Sequence, residues 1–430
     1  MASSSPCRCP LLGRVRLWVL AWLAGVVVAA WAPRAGAAQT TLFKLTQSKS
    51  TRCRLPFTLQ RNLIVVPVML NGRGPYYFML DTGVGTSLIT DPGLRDSLDL
   101  RLGQRFLVAG VGEEAPLVAF QTDSVRVQLG DKASSPSISF LLLSDDVFDL
   151  SSYVGQPIHG ILGADVFRSF VVEVDAEEQV LILHDPTRFR APRGRRWTHL
   201  PLDIEGDKSY INTEVALNDS VRMPLKLILD TGAGHALSIE TSSDARLTLP
   251  PKRLRTHLGR GLSGDVHGYL GRVQGLQLGR YYVNSLITSF PDDKAVQAKV
   301  NVPRNGNVGF ELLKRFNVII DYPHNKLWLK PNGLYRDPFE HDMCGLELLA
   351  TGPQYRRYVV QRVEPGSPAD NANIKPRDEI LSLNLAPAES FSLTQLSRLL
   401  HSADGRELIL FLRRPDGEIY VARITLKRQI

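Results

Sequence analysis

Residues 64–89 read IVVPVMLNGRGPYYFMLDTGVGTSLI, and residues 211–239 read INTEVALNDSVRMPLKLILDTGAGHALSI. Each begins as an apolar strand, passes a polar turn (Asn71-Gly72 in one, Asn218-Asp219 in the other), and returns as a second apolar strand that runs into Asp-Thr-Gly. The likeness continues downstream. Gly160-Ile161-Leu162-Gly163 leads to Phe170 and Asp175, and Gly306-Asn307-Val308-Gly309 leads to Phe316 and Asp321 with the same spacing and no gap. Self-similarity on this scale means two homologous lobes, so one strand pattern decides the fold of both.

Between these landmarks each copy carries a glycine-punctuated hairpin, with Gly110 and Gly112 in the first and Gly261 and Gly264 in the second. Short runs rich in Val, Leu and Ile, broken by frequent turn residues, predict lobes that are mainly β. One short helix is expected in each, over Ala164–Phe170 and Phe310–Phe316. The basic stretch Arg188–Arg196 separates the lobes and reads as a solvated linker.

A single Asp-Thr-Gly in a chain this long carries little weight. Two of them, each after an apolar strand and each followed by the same landmarks, point to a shared chemistry. The aspartate supplies a carboxyl group, and the threonine hydroxyl can bond across to the other copy. The glycine lets the backbone turn sharply, so that its N–H approaches the carboxylate. If the two turns face one another, Asp81 and Asp230 come within hydrogen-bond range. Like charges that close cannot both form cheaply, so the pair shares one proton, and its two apparent pKa values belong to the pair. The ionised member can then serve as general base on a water, while the protonated member polarises a carbonyl.

At these residues the chain resembles the pepsin and retropepsin superfamily of aspartic proteases. Asp81-Thr82-Gly83 and Asp230-Thr231-Gly232 match the catalytic turn, and Ile161-Leu162-Gly163 and Asn307-Val308-Gly309 match the hydrophobic-hydrophobic-Gly loop beneath it. Asn307 stands where an aliphatic residue is usual. The resemblance covers roughly residues 58–335 and looks closer to bacterial retropepsin-like proteins than to pepsin, because the flap hairpins are glycine-rich and carry no pepsin-like tyrosine. It implies a two-lobed β-barrel protease with lobes at 58–190 and 197–335. Asp81 and Asp230 would be catalytic, with Thr82, Gly83, Thr231 and Gly232 supporting them. Gly110, Gly112, Gly261 and Gly264 would sit at flap tips over the substrate. His159 and His235 are read as pocket or surface histidines.

The character changes near Asp342. Cys344-Gly345-Leu346-Glu347-Leu348 precedes a strand pattern, the turn Gly366-Ser367-Pro368-Ala369 and the strand Asp378–Asn384. A helix follows with a capping-box pair at Ser392 and Gln395, and two closing strands flank Pro415-Asp416-Gly417. Residues 342–428 resemble an α+β PDZ domain of the bacterial protease-associated kind. The resemblance implies that Gly345, Leu346, Glu347 and Leu348 form a loop whose N–H groups receive a peptide carboxylate. A domain that packs on the lobes as a structural cap is the alternative.

Composition bounds the rest. With 43% hydrophobic and 22% charged residues, the 430-residue chain has the make-up of a folded protein, which excludes disorder and a polytopic membrane protein. Residues 1–37 show basic residues without acids, an apolar run from Leu17 to Trp31 and small residues ending at Ala37, the pattern of a secretory signal. This predicts a secreted or periplasmic protein. An uncleaved membrane anchor is the alternative, with a run short of the roughly 20 residues a spanning helix needs. Removing the segment takes away Arg8, Arg14, Arg16 and Arg34 and no acid, which halves the formal charge of +8 and argues against nucleic acid. With no CxxC, no HExxH and nine scattered histidines, neither a metal nor a cofactor is expected. No disulfide is expected between Cys53 and Cys344. The reading is a monomeric aspartic endopeptidase acting on peptides or unfolded proteins; a catalytically inactive peptide-binding or sensor protein on the same fold is the alternative.

Overall fold

Asn71 and Gly72 both take positive φ (50° and 79°), the backbone of the tight turn that suits the twist of a two-strand hairpin. They close strand Leu63–Leu70 on strand Arg73–Leu80, and strand Lys208–Ala216 folds on strand Arg222–Leu229 in the second copy. There Asn218 Oδ1 accepts from the N–H groups of Ser220 and Val221 and fixes the turn. The computed structural model describes residues 43–47, 49–146, 149–296 and 302–430, so the expected signal segment 1–37 lies outside the described residues. Among those residues, no helix is long and apolar enough to cross a membrane.

Both lobes repeat one unusual connection. Strand Gly160–Leu162 lies parallel to Arg73–Leu80 and antiparallel to Leu88–Ile89, so it is inserted between two strands that are neighbours in sequence. Strand Gly306–Val308 is placed identically against Arg222–Leu229 and Leu237–Ile239. A helix follows each insertion: Ala164–Ser169 in lobe 1 and the shorter Phe310–Leu313 in lobe 2. The first lobe is built on an eleven-stranded sheet and the second on an eight-stranded one.

A third sheet joins them, in the order Thr198–Pro201, Lys326–Pro331, Phe316–Asp321, Val171–Asp175, Val180–His184, Arg52–Pro56. Its central pair sets Val172 against Ile320 and Val174 against Val318. The repeat makes Val172 equivalent to Val318 and Val174 to Ile320, so the local twofold axis runs between Glu173 and Ile319. Chain enters this sheet at Arg52–Pro56, upstream of residue 58, because that strand pairs with Val180–His184. Cys53 on it is a buried free thiol, as is Cys344.

One hydrophobic core runs through both lobes and the shared sheet, from Phe43 to Phe339. The C-terminal unit has its own, from Met343 to Leu426. Its sheet runs in the order Leu346–Thr351, Arg357–Val363, Glu379–Leu383, Glu407–Arg413, Ile419–Thr425. Helix Leu393–Leu400 buries Leu393, Leu396 and Leu400 on that sheet, and both halves of the Ser392/Gln395 capping box are made. The linker between the lobes is an irregular segment, but it is tied down: Arg280 and Tyr281 donate to the carbonyls of Arg195 and Arg196, and the Arg196 guanidinium donates to Pro331 O.

Candidate active site

Strands Arg73–Leu80 and Arg222–Leu229 each deliver an aspartate at their ends. The inserted strands hold both backbones, because Asp81 N–H donates to Leu162 O and Asp230 N–H to Val308 O, each at 2.9 Å. One residue further on, the threonines cross. Thr82 N–H donates to Thr231 Oγ1 (3.1 Å) while Thr231 N–H donates to Thr82 Oγ1 (3.0 Å). Each hydroxyl in turn donates to a carbonyl of the opposite lobe, Leu229 O for Thr82 and Leu80 O for Thr231. Four buried bonds thus lock the turns together. Thr82→Val or Thr231→Val removes a hydroxyl and strands the opposite buried N–H, at a cost of about 1–3 kcal/mol. Urea unfolding of each variant checks this, and an unchanged midpoint would contradict it.

The glycines bring backbone to carboxylate. Gly83 N–H donates to Asp81 Oδ1 (2.6 Å) and Gly232 N–H to Asp230 Oδ1 (3.1 Å). The approach across the axis is closer still. A Cβ on Gly232 would stand 2.2 Å from Asp81 Cγ, and one on Gly83 would stand 3.1 Å from Asp230 Oδ1, so neither turn admits a side chain without displacing the opposite carboxyl. Asp81 is buried, and burial together with the neighbouring Asp230 pushes its carboxyl up to about 7.

The two carboxyls face a cavity of about 960 Å³. Its wall also carries His235, as a pocket histidine, together with Asn307 of the inserted strand and Lys208, which the sequence reading did not single out. Asn307 Nδ2 donates to Asp230 Oδ2 (2.8 Å), and His235 Nε2 bonds Asn307 Oδ1 (3.2 Å). The departure at Asn307 from the usual aliphatic pattern was the available signal. Burial holds the Lys208 ammonium below its ordinary range. His159 lies elsewhere: its Nδ1 accepts from Tyr77 N–H (3.0 Å), a structural bond. Among the described residues no cluster of three His, Cys, Asp or Glu is arranged to hold a metal ion.

All four expected flap glycines meet at one contact. Strand Arg253–Gly261 turns into strand Gly264–Leu278 through Leu262 and Ser263, with Gly261 paired to Gly264. Ser263 N–H donates to Val111 O, and Gly110 N–H donates to Ser263 Oγ, so the tips of the two hairpins touch across the cavity. A Cβ on Gly112 would fall 2.2 Å from Ser263 O, and one on Gly261 at 2.2 Å from Val111 O. Backbone packed on backbone explains why the tips are glycine-rich.

Gly345, Leu346 and Glu347 of the C-terminal unit border the same cavity. The N–H groups of Cys344 and Gly345 donate to the carboxylate of Asp342. Arg61 of lobe 1 donates from its guanidinium to Leu348 O (2.7 Å) and from its backbone to Thr394 Oγ1 on the helix. Glu347 pairs with His257 on the lobe 2 flap strand (3.2 Å). Lys208 holds the place of Leu63 in the repeat, since Val66 pairs with Phe78 as Ile211 pairs with Leu227, and both residues border the dyad cavity.

The chain is 14% identical to an aspartic proteinase from Irpex lacteus, over 66% of this chain and 99% of that one, with a TM-score of 0.41. It is 9% identical to Basic 7S globulin from soybean, over 66% and 96% of the two chains, with a TM-score of 0.39. No curated protein sequence matches it. The aspartyl protease family model matches residues 66–166 and 213–311, one segment in each lobe and each containing an Asp-Thr-Gly. The PDZ domain model matches residues 359–414. With the repeated inserted strand and crossed threonines in both matched segments, the chain is a two-lobed member of the aspartyl protease family with a C-terminal PDZ domain.

Proposed function

We propose that the protein is an aspartic endopeptidase in which Asp81 and Asp230 share one proton and activate water, with no metal in any step. The observation that carries this is the meeting of buried Asp81 with half-buried Asp230 in the wall of a large cavity, held by reciprocal threonine bonds. The ionised carboxylate takes a proton from water as the oxygen attacks the peptide carbonyl. The protonated carboxyl hydrogen-bonds the carbonyl oxygen, and a proton then passes to the leaving amine. Substrates are extended peptides or unfolded proteins lying beneath the flaps. The PDZ domain, bonded to the lobe 2 flap through Glu347 and His257, recruits substrate or regulates flap opening. The secretory pattern of residues 1–37 favours a secreted or periplasmic location.

The one-proton form of the pair exists between its two apparent pKa values. With Asp81 pushed up to about 7, activity on a denatured protein should be highest at acidic to near-neutral pH and fall as the pH rises through that value. It should fall again in strong acid, where both carboxyls are protonated. Mass spectrometry of digests across this range tests the proposal. No cleavage at any pH would favour the peptide-binding alternative.

A further inference from the structure

The dyad is symmetric in its backbone and unequal in its side-chain partners. Asp230 has a donor on each oxygen: Gly232 N–H on Oδ1 at 3.1 Å and Asn307 Nδ2 on Oδ2 at 2.8 Å. Asp81 Oδ1 receives Gly83 N–H, but the lobe 1 counterpart of Asn307 is Ile161, which has nothing to donate. Ile161 instead packs among Leu63, Val65, Met79 and Leu88. The inserted strand presents residue 161 between Met79 and Leu88 and residue 307 between Ile228 and Ser238, so the two positions are structural equivalents.

Resting on the dyad reading above, we propose that Asn307, oriented by His235, is a positioning residue that makes Asp230 the ionised member and Asp81 the proton carrier. An amide NH2 group donates and cannot accept. A proton on Asp230 Oδ2 would meet that donor head-on, whereas a carboxylate there gains a charge-assisted bond. The orientation of the amide is what matters, and His235 sets it. Its Nε2–H donates to Asn307 Oδ1, which turns Nδ2 toward Asp230. Burial disfavours the imidazolium, consistent with a neutral ring in this place. The proton is therefore assigned to Asp81, and the roles of base and acid with it: Asp230 takes the proton from water, and Asp81 donates to the carbonyl oxygen.

Other charged groups surround the pair and remain in any Asn307 variant. Lys208 acts on both carboxyls from the start of its strand. Arg304 is paired with Glu240 at 2.9 Å, and Arg168 with Asp207. The Tyr322 hydroxyl, which senses Asp81, is bonded to Ser209. A change seen on removing Asn307 thus reports its own bond.

Asn307→Ile copies the lobe 1 residue. It should raise the lower apparent pKa of the dyad by about one unit, a tenfold change in proton affinity, and leave the upper one in place. The acid limb of kcat/KM should move by the same amount, with KM for a fixed peptide within about twofold of wild type and kcat below the limb reduced about tenfold. The same shift should appear in ¹³C-carboxyl NMR titration of protein labelled at aspartate, with Asp81→Asn and Asp230→Asn assigning the signals. His235→Phe keeps Asn307 but frees its amide to turn; a smaller shift in the same direction is expected, and this variant decides the matter if Asn307→Ile does not fold. A carboxyl titration that coincides with wild type overturns the inference. An inactive wild-type enzyme with a shifted titration would instead overturn the protease reading alone.

Discussion

Asp81→Asn and Asp230→Asn should each lower cleavage of a denatured protein by about 10³-fold or more while leaving the fold intact. General acid–base groups contribute about 10²–10⁴ each, and groups that act as one unit are lost together. Asparagine preserves size and can still accept the Gly83 or Gly232 N–H, but it can neither take a proton from water nor carry the shared one. The variants carry their own control in their stability. A carboxyl whose pKa is raised in the folded state contributes stability that is fully present below its unfolded pKa and lost as pH rises through the folded value. For Asp81 that loss spans the interval from the ordinary carboxylate range up to about 7. Both variants abolish the like-charge contact, so above neutral pH each should melt at a higher temperature than wild type. A variant that keeps activity within about tenfold of wild type would sink the dyad mechanism, and one that melts lower would show that the Asp–Asp contact is not the source of the strain.

Arg315→Leu should destabilise the protein by about 3–5 kcal/mol, the range seen when one partner of a buried charged network is removed. Arg315 is only 1% exposed. Its guanidinium donates to Glu311 Oε1 (2.9 Å) and to the carbonyls of Leu334, Asp337 and Pro338, and it lies over the Phe339 ring at 3.7 Å. These carbonyls belong to the segment that leaves lobe 2 for the PDZ domain, so one side chain ends the lobe and shapes the exit. Arg315→Lys should recover only part of the loss, because an ammonium cannot span the several acceptors that a planar fork reaches. Thermal melting measures the cost, and limited proteolysis should show earlier cutting between Gly333 and Asp342. A melting temperature near that of wild type for Arg315→Leu would contradict the account.

The contrast between these two sites shows what could be read from the chain alone. The repeat, its hairpins and the two Asp-Thr-Gly turns were legible because each is local: strand period, a turn residue and a short motif lie within a few residues of one another. The PDZ helix was legible for the same reason, through its cap at Ser392 and Gln395. Arg315 was not. In Lys314-Arg315-Phe316 it reads as a charged residue at a helix end, and only the return of residues 334–339 buries it. Asn307 stood out as a departure, but its meaning required knowing that Asp230 lies 2.8 Å away at the end of the strand paired with it. Nor could the bond from lobe 1 to the C-terminal loop be foreseen. Arg61 and Leu348 are joined by a bond that spans most of the chain, and no periodicity encodes it.

The sheet that pairs Val171–Asp175 with Phe316–Asp321 has a consequence for concentration. A pair of carboxyls contributed by two separate subunits disappears on dilution, as the subunits part. Here the partner is tethered and hydrogen-bonded into the same sheet, so its formation is a folding event of one molecule. Turnover per molecule should therefore stay constant down to the lowest enzyme level that can be assayed. Covalent fusion also released the halves from identity: a homodimer must change both sites at once, whereas this chain could set an amide beside one aspartate and an isoleucine beside the other.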